Sequence, residues 1–266
     1  MTRNDSRTAR TPRRAGATAC AALGAMLALG APASRAWGQL TALRTYVGVD
    51  RAIPVRVERP AGAVGELEVQ LLAPPSMEVL GTAPVREGDA DLGALFGEIW
   101  RPVGEPRVLY VQLSVNDQRV GSALVLQPLL HPGVRARVDP VTRRPRFDPP
   151  ARRTLTGVRV WADRHVLLDT SEGVVEFALR PDAAPNTAWH FLTLVERGFY
   201  TDVPFHRVVA AAPMTGHPFV VQTGDPTGTG RGGLGETIAL EASSLPHDFG
   251  VLSMARGPDA NSGGSQ

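Results

Sequence analysis

The sequence contains no lysine: all 28 basic residues are arginine. This absence excludes chemistry that needs a lysine amine, such as a P-loop phosphate site or Schiff-base catalysis. Cysteine occurs once, as Cys20. Because Cys20 lies in an N-terminal stretch that we expect to be removed, the remaining chain is predicted to have no disulfide, thiol nucleophile or cysteine-ligated metal.

The positive charge is concentrated at the N-terminus. Residues 1–38 hold six arginines and one acidic residue, whereas the rest of the chain holds 22 arginines and 25 acidic residues, a net charge of −3. A strongly basic nucleic-acid-binding protein is therefore not expected.

Residues 1–38 have the layout of a secretory signal peptide. Five arginines precede an uncharged run over 15–33, and the small residues Ser34 and Ala36 have the spacing that signal peptidases accept. We therefore expect an exported protein, periplasmic or secreted. The alternative is an uncleaved leader that anchors the chain to a membrane, although the run is short for a hydrocarbon core of about 30 Å.

Residues 39–138 are predicted to form a β-rich, sandwich-like domain of binding or spacer type. Apolar and β-branched residues alternate or run together over 52–58, 66–72, 107–115 and 119–126. The last two segments flank Asn116, Asp117 and Gln118, a short polar turn that indicates a hairpin. No catalytic constellation is present. The sequence does not identify the ligand of this domain, and a component of the cell envelope is one candidate partner.

Residues 139–163 are predicted to be a linker between two domains. The part over 139–153 is rich in proline and arginine and has no periodicity, so it is expected to be extended. Contact of its arginines with an anionic surface or with nucleic acid is the alternative interpretation.

Residues 164–266 are predicted to be mainly β with one helix. Strands are expected over 166–169, 174–179, 205–209, 219–222 and 250–254. Between the second and third of these, Ala188, Phe191, Leu192 and Val195 form one apolar stripe, which predicts a helix over about 185–197. Gly198 is suited to end that helix.

Three generic motifs in this region favour no cofactor. The pattern G-x-G-x-x-G over 228–233 has no helical stripe after it, so a glycine-rich loop is the better interpretation. His206, His217 and His247, taken together with Asp225, lack the close spacing of metal ligands. Ser253, His247 and Asp248 lie too close in sequence to favour a catalytic triad, and no nucleophile elbow is present.

Seven blocks within 164–266 resemble, in order and spacing, the cyclophilin family of peptidyl-prolyl cis-trans isomerases, with the bacterial members most similar. The blocks are LDTSEG (168–173), APNT (184–187), GFY (198–200), FHRV (205–208), FVVQTGDP (219–226), GTGRGG (228–233), and LSMAR (252–256) followed by NSGGSQ (261–266). The resemblance implies an isomerase that accelerates X–Pro bond rotation in proline-containing polypeptide clients during the folding of exported proteins. It implies no cofactor, metal or nucleic acid.

The resemblance also assigns roles to residues. Arg207 matches the catalytic arginine, Phe219 the aromatic wall of the proline pocket, and Gln222 a glutamine that binds the substrate backbone. The positions implied to contact substrate are Phe205, His206, Val220, Ala255, Arg256 and Gln266.

Two departures from the family pattern affect this expectation. The link from Arg207 to Phe219 is several residues longer than usual, and the family pattern continues beyond Gln266. The sequence therefore predicts an incomplete cyclophilin-like β-barrel, truncated at its C-terminus. The alternative functions are a proline-peptide binding or scaffold module without turnover, and a protein whose N-terminal β domain carries the main activity.

Overall fold

The computed structural model describes residues 39–131, 135–148, 153–212 and 216–266. The predicted signal peptide, 1–38, lies outside the described residues. The strands are β1 (Gln39–Ala42), β2 (Tyr46–Gly48), β3 (Pro54–Glu58), β4 (Leu67–Ala73), β5 (Glu78–Val85), β6 (Gly88–Asp91), β7 (Leu109–Val115), β8 (Gln118–His131), β9 (Arg135–Val138), β10 (Pro145–Asp148), β11 (Thr154–Ala162), β12 (His165–Thr170), β13 (Gly173–Ala178), β14 (Arg207–Val209) and β15 (Val220–Gln222). The helices are α1 (Leu92–Leu95) and α2 (Pro185–Glu196), with a 3-10 turn at Gly97–Ile99. The predicted mainly β fold is confirmed.

Two antiparallel sheets pack face to face in the N-terminal region. A three-stranded sheet has the order β1-β3-β6, and a six-stranded sheet has the order β2-β11-β8-β7-β4-β5. Their facing side chains form one hydrophobic core, in which Val55 of the small sheet and Val69 and Leu113 of the large sheet are fully buried. Successive side chains of a strand point to opposite faces, and these three residues lie on the faces that meet.

The predicted hairpin joins β7 to β8. Val115 pairs with Gln118, so the loop contains only Asn116 and Asp117. Both have positive φ values, 48° and 65°. Two successive residues in this conformation make the turn whose twist suits a tight hairpin, and asparagine and aspartate tolerate it.

The linker predicted over 139–163 is wrong in its second half. Residues 154–162 form β11, which lies between β2 and β8 in the six-stranded sheet. Val158 and Val160 are buried in the sandwich core, and Trp161 is buried on the opposite face. Burial of both faces stabilises β11 as a strand, although the residues before it are rich in proline and arginine. Within those preceding residues, β9 pairs with β10.

Helix α2 covers the second face of the six-stranded sheet. Its buried residues Ala188 and Leu192 share a hydrophobic cluster with Val125 and Trp161 of the sheet. Pro185 occupies the first turn and Gly198, with φ of 71°, follows the C-cap Arg197, as predicted. The regions 39–162 and 164–266 therefore share a core instead of being separated by an extended linker.

Two short ribbons complete the described fold. β12 pairs with β13, and β14 pairs with β15, each as a two-stranded antiparallel ribbon. The strands among the described residues form no closed barrel. The strand predicted over 250–254 is wrong, because these residues pair with no strand in the described part of the chain. No helix among the described residues has the length and apolarity needed to span a membrane.

Candidate functional site

The β14–β15 ribbon brings two predicted site residues together. Arg207 pairs with Gln222 across the ribbon. Directly paired residues of an antiparallel ribbon project from the same face. The Arg207 Nη1 atom donates a hydrogen bond to Gln222 Oε1 at 3.1 Å. The site is thus anchored by backbone pairing as well as by a charge-assisted side-chain contact.

A line of hydrogen bonds continues from this pair to Gln266. Gln222 Nε2 donates to Gln266 Oε1 at 2.8 Å, and Gln266 Nε2 donates to the carbonyl oxygen of Gly232 at 2.7 Å. Arginine can only donate hydrogen bonds, and a backbone carbonyl can only accept them. Because Arg207 only donates and the Gly232 carbonyl only accepts, the amides of Gln222 and Gln266 between them have one consistent orientation. We call Arg207, Gln222, Gln266 and Gly232 the donor line.

The carboxylate of Asp225 holds the loop that ends the donor line. This side chain is fully buried and accepts hydrogen bonds from the backbone N–H groups of Thr227, Arg231 and Gly232. Burial opposes its ionisation, but hydrogen bonds, foremost from the Thr227 side chain, outweigh burial and hold the pKa of the Asp225 carboxyl well below its usual value. The glycine-rich segment over 228–233 is a loop, as predicted. The group that its backbone N–H groups bind is the Asp225 carboxylate of the same chain.

The segment that carries Gln266 is held from three directions. Ser265 Oγ donates to the Gly224 carbonyl at 2.7 Å, and Tyr200 Oη donates to the Ser265 carbonyl at 3.0 Å. His190 Nε2 lies 3.0 Å from the Gly264 carbonyl. Gly224 has φ of 92°, and a Cβ atom there would lie 2.0 Å from the Ser265 oxygen. Only glycine allows this approach.

The aromatic and apolar residues of the predicted site line an open surface. Phe219 directly precedes β15 and is 70% exposed, and Phe205 is 44% exposed. Val220 is half-buried. Both ring nitrogens of His206 are buried and lack a hydrogen-bond partner among the described residues. Phe219 and Phe205 therefore present apolar surface to solvent.

The two predicted residues of the 255–256 segment contribute differently. The Ala255 N–H donates to the Gln266 carbonyl at 2.9 Å, which fixes this segment beside the donor line. The Arg256 Nη1 atom donates to the carbonyl oxygens of Ala260 at 2.8 Å and Ile238 at 3.3 Å. The Arg256 side chain thus stabilises its own loop.

The long link between Arg207 and Phe219 leaves the ribbon intact. Residues 213–215 of this link lie outside the described residues. On either side of them, the Phe219 N–H donates to the Val209 carbonyl at 2.9 Å and the Ala212 N–H donates to the His217 carbonyl at 2.8 Å. The described residues on either side keep their antiparallel hydrogen bonds, and Arg207 keeps its register with Gln222.

The structure can be compared with two motifs considered above, the serine–histidine–aspartate triad and the histidine metal site. Ser253 Oγ and His247 Nδ1 lie 2.8 Å apart, so a serine–histidine pair does form. The carboxylate of Asp248 instead accepts from the Phe249 N–H at 2.7 Å, and both members of the pair are exposed. Within the described residues no group of three or more histidine, cysteine or acidic side chains has the spacing of a metal site.

Residues 165–266 match the family model described as cyclophilin-type peptidyl-prolyl cis-trans isomerase. We call these residues the cyclophilin-type segment. The match begins at the first residue of β12 and includes every residue of the donor line. The resemblance inferred from the sequence blocks is confirmed.

The cyclophilin-type segment is similar to curated proteins from fungi and bacteria. It is 47% identical over 107 residues to a peptidyl-prolyl cis-trans isomerase-like 1 of Rhizopus delemar, a match that covers 38% of this chain and 59% of that protein. It is 45% identical over 94 residues to peptidyl-prolyl cis-trans isomerase B of Bacillus subtilis, which covers 35% and 60% of the two chains. A peptidyl-prolyl cis-trans isomerase of Synechococcus elongatus is 40% identical over 100 residues, with coverage of 38% and 63%.

The chain spans about three fifths of the length of the curated relatives it matches. No solved structure matches the chain.

The sequence patterns did not reveal two residues that organise the cyclophilin-type segment. Asp225 belongs to the family block over 219–226, but its place in that block did not indicate that its carboxylate binds the backbone of the following loop. Glu241 binds the first turn of α2, with its Oε2 atom accepting from the Thr187 N–H at 2.8 Å. These residues are 54 positions apart in the sequence, so no local spacing could have indicated the contact.

Proposed function

We propose that the cyclophilin-type segment catalyses cis–trans isomerisation of X–Pro peptide bonds in polypeptide clients. The observation that carries this proposal is the donor line, which holds Arg207 on an exposed face of the β14–β15 ribbon. The family match of residues 165–266 and the names of the relatives support the same reaction.

The reaction requires neither a nucleophile nor a cofactor. The cis and trans forms of an X–Pro bond differ by about 0.5–1 kcal/mol. Amide resonance places a barrier of about 18–20 kcal/mol between them. A catalyst must therefore hold the proline and stabilise the twisted amide, in which the proline nitrogen is pyramidal and carries a lone pair.

Arg207 is the residue that supplies this stabilisation in the proposal. A guanidinium carries five N–H donors, so Arg207 can bond Gln222 and still donate to the twisted amide nitrogen or the adjacent carbonyl. Because Gln222 already accepts one of these hydrogen bonds, the guanidinium needs little reorganisation when the amide twists. Phe219 provides apolar contact for the proline ring. The backbone near Ala255 contacts the substrate residue that precedes the proline.

The test is the rate of X–Pro isomerisation in a short peptide, measured with the full chain. The wild-type protein should accelerate the reaction, and Arg207→Ala should lower kcat/KM about 100-fold, the usual loss when one preorganised donor is removed. Arg197→Ala, at an exposed arginine after α2, serves as the matched control and should retain full activity. Equal rates with and without wild-type protein would sink the proposal.

A binding module without turnover is the second candidate, and the exposure of Phe219 favours it. A proline ring that rests on a 70% exposed phenylalanine can be bound without being held in a twisted geometry. Chemical-shift changes at Phe219 and Gln222 on addition of a proline peptide, together with an unchanged isomerisation rate, would select this candidate.

The clients in the proposal are exported polypeptides. The arginine-rich, apolar leader over 1–38 supports export. Mass spectrometry of the protein recovered from the periplasm or medium should find a mature N-terminus directly after Ala36. Retention of the whole chain in the cytoplasm would contradict export and leave the isomerase proposal intact.

A further inference from the structure

The N-terminal sheet contacts the cyclophilin-type segment through helix α2. Trp161 of β11 and Trp189 of α2 have ring centroids 5.6 Å apart and an interplanar angle of 59°. Trp161 belongs to the buried cluster that joins Val125 to Leu192, and Trp189 packs against that cluster. Strands outside the family-matched residues thus form the surface on which this helix rests.

Arg159 of β11 lies at the edge of that contact and binds both sides. Its guanidinium carbon is 5.4 Å from the centroid of Tyr46 and 5.1 Å from that of Trp189. Its Nη1 atom donates to Gln127 Oε1 at 3.1 Å and to Asn186 Oδ1 at 3.4 Å. Since a guanidinium between two aromatic rings has few alternative positions, Arg159 is a rigid donor aimed at the start of α2.

The amide of Asn186 is oriented by these contacts. Its Oδ1 atom also accepts from Nε2 of Gln127, a fully buried side chain, at 2.9 Å. With Oδ1 held towards the sheet, the Asn186 Nδ2 atom points the opposite way and donates to Glu241 Oε1 at 2.9 Å. Arg159 and Glu241 therefore bind the two ends of the same Asn186 side-chain amide.

Glu241 caps α2 in place of a local residue. The N-cap position, Ala184, has no side chain that can accept a hydrogen bond. The carboxylate of Glu241 accepts from the backbone N–H groups of Asn186 at 3.0 Å and Thr187 at 2.8 Å. An anion at this place satisfies unpaired helix donors and interacts favourably with the helix dipole.

The strand-like segment that carries Glu241 supports the donor line. The Ile238 N–H donates to the Gly263 carbonyl at 2.8 Å, and the Leu240 N–H donates to Asn261 Oδ1 at 3.0 Å. Gly263 lies three residues before Gln266, the third member of the donor line. A displacement of Glu241 would therefore also displace the segment that ends at Gln266, which positions Gln222 and Arg207.

We propose that Arg159 is a positioning residue for the candidate proline site, acting through Asn186 and Glu241 on the segment that ends at Gln266. Arg159 lies outside the family-matched segment, so this role is a property of the N-terminal sheet. The effect on catalysis rests on the proposed function, whereas the effect on local structure does not.

The experiment uses the full chain with Arg159→Met, Glu241→Gln, the double variant, and the control Arg164→Ala. Arg164 is an exposed arginine that pairs with Glu196 at the other end of α2. Backbone hydrogen exchange at residues 187, 238, 240 and 255 is measured alongside kcat and KM for an X–Pro peptide. Arg159→Met should speed exchange at these amides about tenfold without speeding it in β7, and should lower kcat about three- to tenfold with KM little changed.

The double variant tests whether the residues act in series. If they do, its loss should be no larger than that of the stronger single variant. Additive losses, exchange that rises equally throughout β7 and β8, or unchanged exchange at residues 238 and 240 would each overturn the proposal. If wild-type protein lacks isomerase activity, the proposed function fails, and the exchange pattern alone decides the role of Arg159.

Discussion

Arg207 can only donate hydrogen bonds and the carbonyl of Gly232 can only accept them, so the two glutamine amides between them have one consistent orientation. At the scale of residues, the site is thus organised by the direction of donation. Its acceptor end depends on Asp225, whose carboxylate holds the Gly232 N–H at 3.0 Å. A single buried carboxylate therefore supports the geometry of an exposed arginine.

The contribution of Asp225 to stability should depend on pH. Because its pKa is held below the usual value, the folded chain binds this proton less readily than the unfolded chain. The stabilisation should be complete above about pH 4, the ordinary aspartate range, and be lost as the pH falls towards the depressed pKa of the folded chain. Asp225→Asn should lower the free energy of unfolding at pH 7, with a smaller deficit at pH 3.

Urea denaturation at the two pH values measures this difference. Asp169→Asn, at an exposed aspartate of β12, is the matched control and should show no deficit at either pH. An equal deficit for Asp225→Asn at both pH values would contradict the ionic role.

At the scale of elements, the β7–β8 turn shows how a local signal determines a long-range register. Asn116 has positive φ, and its side chain also bonds the segment before β4, with Nδ2 donating to the Val64 carbonyl at 2.9 Å and Oδ1 accepting from the Glu66 N–H at 3.3 Å. One residue thus closes the hairpin and aligns the neighbouring strand.

Replacement of Asn116 should separate these two effects. Asn116→Ala loses both hydrogen bonds and strains the backbone, and should lower the free energy of unfolding by about 1–2 kcal/mol. Asn116→Gly loses the hydrogen bonds but accepts positive φ, so its loss should be smaller. Chemical denaturation of both variants measures the difference. Equal free energies of unfolding for the two variants would show that backbone strain at this position does not contribute to the loss.

The elements that could be predicted from sequence are those with a complete local signal. Helix α2 has an apolar stripe with Pro185 and Gly198 at its ends, and the β7–β8 hairpin has a polar turn between alternating segments. Strand β11 was missed, although Val158 and Val160 alternate with Gly157 and Arg159, because the arginines and prolines before it dominate the local composition. Its pairing with β8 and β2 depends on contacts distant in sequence.

The candidate site divides in the same way. Arg207, Phe219 and Gln222 were predicted because family blocks carry them. The contacts of Asp225 and Glu241 could not be predicted, because their partners are fixed only by the folded loop and by α2.

At the scale of the whole molecule, one sheet supports two hydrophobic cores. The sandwich core lies on one side of the six-stranded sheet, and the cluster that includes α2 lies on the other. The sheet therefore couples the stability of the cyclophilin-type segment to that of the N-terminal strands.

This coupling predicts a single unfolding transition for the described unit. Leu192→Ala removes a buried α2 side chain and should lower the free energy of unfolding of the whole unit by about 2–4 kcal/mol. Tryptophan fluorescence, which reports on the Trp161–Trp189 contact, and far-ultraviolet circular dichroism should give coincident curves.

The matched control is Val174→Ala, at a side chain that is 63% exposed in β13 and should contribute little. Two separated transitions, with only one shifted by Leu192→Ala, would show that the N-terminal strands and α2 unfold independently.

The middle of strand β8, residues 123–127, is buried on both faces of the sheet. Leu124 and Leu126 belong to the sandwich core, Ala123 and Val125 to the cluster under α2, and the buried amide of Gln127 holds Asn186. In a typical surface strand every second position tolerates substitution, because it faces water. A library of random substitutions, selected for soluble expression, should therefore show five consecutive intolerant positions over 123–127, where a half-exposed strand would show alternation.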